Sequence, residues 1–192
     1  MTGIDPLDGI DPATDMGAPA VDPADLAVIA GQLGREPRGV VAVAHRCPCG
    51  APDVVRTRPR LPDGTPFPTS FYATCPRLTG AISTLETQGV MHEMSDRLER
   101  DPRLSAAYAR AHEDYLTRRA ELGEVPEIEG VSAGGMPTRV KCLHVLVAHT
   151  LAAGPGVNPL GDEALAMLAP WWENHPCREV YGGGPGPVGD GE

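Results

Sequence analysis

Cys47 and Cys49 flank a single proline, and Cys75 precedes another proline further along the chain. Thiolates are strong zinc ligands, and four of them, or a mixture with histidine, close a tetrahedral structural site. A turn carrying two cysteines, then a small sheet and a third cysteine, is a sensible geometry for three of the four ligands. The fourth must come from far along the chain. Cys142 is the first candidate and His144 the second. Cys142 and His149 lie seven positions apart, about 10.5 Å of helical rise, so one ion does not take both. The expectation is a structural zinc ion held by Cys47, Cys49, Cys75 and Cys142. The competing reading makes Cys142 a small buried apolar residue.

The second constellation is basic. Arg56, Arg58 and Arg60 alternate and share one side of an extended segment. Arg139 and Lys141 fall where a later helix is expected to start, behind Gly134 and Gly135. Guanidinium groups and helix N-termini both favour phosphate or carboxylate. Arg58, Arg60, Arg139 and Lys141 are therefore expected to form an anion- or partner-binding face. The bland alternative pairs these arginines with acids elsewhere. An enzymatic alternative uses His144, Lys141 and Cys142, with His149 as a further base, on a small molecule bearing phosphate or carboxylate. No nucleophile elbow, phosphate loop or paired-carboxylate signature supports it.

The charge balance narrows the partners. The chain of 192 residues carries a formal net charge of −10, and all but one of its 16 basic residues are arginine. Such a chain is a poor general binder of nucleic acid. Arginine preference with abundant Ala, Gly and Pro suits a high-GC genome. The N-terminus has no basic and apolar leader. No stretch approaches the ~20 apolar residues of a spanning helix. A cytoplasmic location is expected, with no membrane partner and with reduced cysteines that favour metal over disulfides. The oligomeric state stays open.

The elements that position these residues follow from periodicity. Residues 1–20 read as a disordered acidic arm and 182–192 as a disordered Gly/Pro tail. Residues 21–181 then form one domain, with roughly 160 residues to build a core. A first helix begins after Asp22 and ends at Gly34. Strands are expected at Val40–Ala44, Asp53–Thr57 and Pro68–Thr74, joined by turns at Pro48–Gly50 and Pro62–Gly64. Helical stripes follow: Leu78, Ile82 and Leu85 to Gly89, then Met91, Met94 and Leu98, then a longer one from Asp101 through Leu122. A helix from Pro137 to Ala153 is apolar on more than one side and should be central. A last helix is expected over Asp162–Trp172. The fold class is α+β, a small antiparallel meander against a helical bundle.

The string Cys47-Pro48-Cys49-Gly50 resembles the knuckle of a zinc ribbon, with one residue between the cysteines instead of two. At larger scale, GREPRGVVAVAHRCPCG, TRPRLPDGTPFPTSFYATCP, GVMHEMSDRL, SAGGMPTRVKCLH and AHTLAAGPGVNPLGD resemble the domain-of-unknown-function family numbered 501, known mainly from actinobacteria. The resemblance spans about residues 26–162. It implies a shared fold and no particular activity.

Overall fold

A computed structural model describes residues 21–173. The acidic arm 1–20 and the tail 182–192 lie outside the described residues. The first helix, α1 (Pro23–Leu33), has the ends its sequence demands. Asp22 accepts the Ala24 amide at 2.8 Å, and Pro23 fills the first turn, where its missing N–H is no loss. Gly34 closes the helix in the left-handed conformation.

Three strands follow: β1 (Val40–Arg46), β2 (Pro52–Thr57) and β3 (Phe71–Ala73). They form an antiparallel sheet in the order β1-β2-β3, so the meander is as expected. Val55 of β2 faces Val43 on one side and Tyr72 on the other. The central strand is buried along nearly all its length, as a β-branched run sandwiched between layers should be. The turn Cys47–Gly50 is tight, with the Gly50 amide on the Cys47 carbonyl at 2.7 Å.

Five further helices are described: α2 (Pro76–Glu86), α3 (Val90–Arg100), α4 (Pro102–Ala120), α5 (Leu143–Ala153) and α6 (Pro159–Met167). Asp101 caps α4 through the Arg103 and Leu104 amides. The α5 helix is buried on nearly every side. Leu143, Leu146, Val147, Ala148 and His149 have no exposed surface, which makes this helix the centre of the core. A fully buried Leu such as Leu146 contributes about 1.5–3 kcal/mol of transfer free energy. The α5 helix packs on β3 and on α6. The α6 contact is close at Gly161, where a Cβ would collide with Thr150 Oγ1 and the Leu146 carbonyl.

The α5 helix departs from its expected start. It begins at Leu143, not at Pro137. Residues before it fold into a compact loop. Gly134 and Gly135 have φ of 78° and 93°, and the Met136–Pro137 peptide is cis. The Arg139 amide bonds the Gly135 carbonyl and the Lys141 amide the Gly134 carbonyl. A Cβ on Gly135 would lie 2.7 Å from the Arg139 carbonyl oxygen. The loop is thus built around glycines that no other residue could replace without strain. The α6 helix also ends earlier than expected, at Met167.

Candidate metal centre

Loop and helix meet at Cys142, the residue immediately before α5, whose backbone is extended. Its side chain lies beside His144 in the first turn of α5 and Glu86 at the end of α2. One ligand atom from each of Glu86, Cys142 and His144 lies within 4.8 Å of the others, and all three residues are half-buried. This is the grouping of three His, Cys, Asp or Glu side chains among the described residues that could hold a metal ion.

Glu86 does two things there. Its Oε1 accepts the Leu143 amide at 2.7 Å and the His144 Nδ1 proton at 3.2 Å. It thereby satisfies an orphan amide of the α5 N-terminus from outside the helix. On the other side of the ring, His144 Nε2 sits 3.2 Å from the Thr79 carbonyl and 3.4 Å from Ser83 Oγ. A carbonyl and a carboxylate only accept, so the two ring nitrogens both carry protons in this arrangement. The hydrogen bond with Cys142, followed by the Glu86 charge, pushes His144 up to about 9 against the opposing effect of burial. A metal ion bound through the imidazole must therefore expel one proton.

Cys142 and His144 open onto a hollow of about 470 Å³ between α1, β3 and α5. Gln32, Leu33, Tyr72, Thr74 and Val145 also line it. Of the three donors, Cys142 and His144 line this hollow and Glu86 does not. A sulfur, a nitrogen and an oxygen donor drawn from three positions are a set that can hold a metal ion.

The other residues picked out in the sequence are placed differently. Cys47 and Cys49 are close enough for their side chains to hydrogen-bond, and Cys47 is buried. Burial, first among its causes, pushes the Cys47 thiol up to about 12. Cys75 is fully buried at the start of α2. Cys47, Cys49 and Cys75 do not form a group of three with ligand atoms within 4.8 Å, and Cys142 keeps company with Glu86 and His144 instead. The expected four-cysteine set is thus not among the metal-capable groups of the described residues.

The basic residues are also redistributed. Arg60 makes a two-pronged pair with Glu127, at 2.8 and 2.7 Å. Arg56 meets Glu121 at 2.7 Å and the Arg118 carbonyl. Arg58 is exposed, and so are Arg139 and Lys141. Arg139 and Lys141 precede α5 instead of occupying its first turn, so the argument from free helical amides does not apply to them. The anion slot at that helix start is filled by Glu86.

His149 is fully buried, stacked on Phe71 with ring centroids 5.7 Å apart and met edge-on by Tyr115 at 5.2 Å. Its Nε2 is 2.8 Å from Asp114 Oδ2, and the Asn158 side-chain amide donates to its Nδ1 at 3.3 Å. That donor requires the neutral ring with its proton on Nε2, and burial lowers its pKa accordingly. His149 ties α4, α5 and α6 together and has no access to a substrate. His112 likewise hydrogen-bonds Ser132 within the fold.

Glu86 escaped the sequence reading because a glutamate at a helix end carries no distinguishing pattern. Only the packing of α2 against α5 brings it to Cys142. A family model described as protein of unknown function (DUF501) matches residues 43–166. The chain belongs to this family. The DUF501 match includes all three residues of the metal-capable group, the second part of β1, all of β2, and nearly all of α6. No curated protein and no solved structure matches the chain. No described helix is long and apolar enough to cross a membrane.

Proposed function

We propose that this DUF501 protein is a zinc-dependent enzyme whose ion is held by Glu86, Cys142 and His144. The observation that carries the reading is the approach of these three donors within 4.8 Å beside an open hollow. Structural zinc sites are closed by four protein ligands, whereas catalytic ones use three and leave a position for water or substrate. Cys142 binds as a thiolate, Glu86 as a carboxylate and His144 as the neutral ring. A zinc ion held there would supply Lewis-acid chemistry, polarising a water or carbonyl for hydrolysis of a small molecule in the hollow. Ser83 and the Thr79 carbonyl hold the far side of the His144 ring, as outer partners of metal-bound histidines do. This reading does not draw on the anion- or partner-binding face expected at Arg58, Arg60, Arg139 and Lys141, of which Arg60 pairs with Glu127.

The test is metal analysis of protein purified without chelator or immobilised metal. About one zinc per chain is expected for a three-ligand site. Cys142→Ser and His144→Gln should abolish it, and Cys47→Ser should not. A chain without bound metal, or one whose metal survives Cys142→Ser, overturns the reading.

One observation favours a second reading. His144 is hydrogen-bonded to Cys142 and carries both ring protons, an arrangement that activates a thiol as nucleophile. Selective alkylation of Cys142 in metal-free protein, unaffected by added zinc, would support this reading over the zinc enzyme.

A further inference from the structure

We infer that a second hollow, between the end of α4 and the loop 123–130, binds a free α-amino acid with an apolar side chain. This site goes beyond the zinc reading and does not depend on it. The hollow measures about 430 Å³, within the range of small-molecule pockets. Charges of both signs that meet no countercharge carry the inference.

Arg119 lines the hollow and is 6% exposed. Its Nη1 and Nη2 donate to the Val131 and Ile128 carbonyls at 2.5 and 2.7 Å, and no carboxylate among the described residues pairs with it. Burial pulls its pKa down, and Tyr115 is the group that acts against that. Carbonyl dipoles replace only part of the hydration that a buried cation gives up, so an anion opposite it is the usual complement. Arg119 Nε makes no hydrogen bond among the described residues, yet it is not one of the side-chain atoms sealed without a partner. It therefore keeps accessible surface, which a carboxylate in the hollow can meet.

The loop supplies the opposite charge. Glu124 and Glu129 line the same hollow and are exposed. Their neighbours Glu121 and Glu127 are taken by Arg56 and Arg60. Glu124 and Glu129 have no ion-pair partner among the described residues. The two glutamates repel a phosphate or a dicarboxylate, and a simple amine leaves Arg119 unmet. A zwitterion answers both, with its carboxylate on the guanidinium and its ammonium toward the glutamates. Leu116, Val125 and Pro126 give the ligand's side chain an apolar wall. Gly123 and Gly130 have φ of 116° and 65°, and a Cβ on either would meet nothing within 4 Å. The loop thus leaves free space beside its glycines.

The experiment follows the full chain by NMR, through its amide signals and the Arg119 Nε–H signal, during titration with L-leucine, glycine, isopentylamine and isocaproate. The last three delete in turn the side chain, the carboxylate and the ammonium of leucine. Leucine should bind about tenfold or more tighter than glycine and isopentylamine, the worth of a buried apolar group or a charged hydrogen bond. Its lead over isocaproate should be about threefold, since the glutamates are exposed. The shifts should map to the end of α4 and the loop 123–130. The Arg119 Nε–H signal should move with leucine and isocaproate but not with isopentylamine. Glu124→Gln with Glu129→Gln, at exposed positions that leave the fold intact, should erase the lead over isocaproate. Equal binding of leucine and isocaproate, or a lead that survives the double variant, overturns the inference and leaves Arg119 as a pin for the loop. So does an Arg119 signal that stays still, or the absence of leucine shifts at about 10 mM, where even a weak ligand registers. Zinc binding at Glu86, Cys142 and His144 stands or falls apart from these outcomes.

Discussion

Glu86 Oε1 lies 2.7 Å from the Leu143 amide nitrogen, so a side chain from the end of α2 terminates the start of α5. One carboxylate thus serves helix capping, histidine charging and potential metal ligation. Its replacement should be felt in all three.

Glu86→Gln keeps the shape and removes the charge. His144 is raised to about 9 in the folded chain. A raised histidine stabilises the fold fully below its unfolded pKa of about 6.5, and that contribution disappears as pH rises through the folded value. The stability gap between wild type and Glu86→Gln should therefore be widest near pH 6 and narrow toward pH 9. Urea unfolding at several pH values measures it. The His144 ring proton shift, followed by NMR, should titrate lower in the variant.

His149 has the opposite sign. Its folded pKa is lowered by burial. Its stability contribution is complete above about pH 6.5 and falls as the unfolded chain takes up the proton first. Acidification below that point should destabilise the wild type. In Asn158→Leu the ring nitrogen facing α6 loses its donor, at a cost of about 1–3 kcal/mol for a buried unmet group. Thermal melts at pH 5 and pH 7.5 test both statements.

Thiol reactivity should follow burial. Cys47 is pushed up to about 12 and Cys75 has no exposed surface. In native, metal-free protein at pH 8, iodoacetamide should label Cys142 well before either of them, since the thiolate is the reacting species. Peptide mass spectrometry over time reads the order. Labelling of Cys47 ahead of Cys142 would contradict the placement.

Gly161 is the point where α6 touches α5 most closely. Gly161→Ala gains helix propensity but forces its methyl into Thr150 and the Leu146 carbonyl. Overpacking of this kind costs about 1–3 kcal/mol, more than the gain of roughly 1 kcal/mol in propensity. Denaturant midpoints of wild type and variant should show a net loss.

Much of the fold was legible in the chain because the signals are local. Asp22 and Gly34 bound α1, Asp101 caps α4, and the short β-branched runs at Val40 and Asp53 become paired strands. The apolar breadth of the stretch expected as a helix from Pro137 to Ala153 identified the central helix, observed as Leu143–Ala153. Cys142 and His144 also stood out by type. Their use did not. Four cysteines suggested one site because thiolates chelate, yet convergence depends on where strands and helices pack. Arg58 and Arg60 suggested an anion because like charges repel, but Arg60 met Glu127, which lies 67 positions away. The paired glycines before α5, with φ of 78° and 93°, close a loop that moves its start from Pro137 to Leu143, a backbone closure that periodicity does not register. Sequence alone determined which elements form, since capping, turn chemistry and periodicity act within a few residues. Tertiary structure alone decided that Glu86 joins Cys142 and His144, because only the packing of α2 on α5 brings together side chains separated by 56 or more positions.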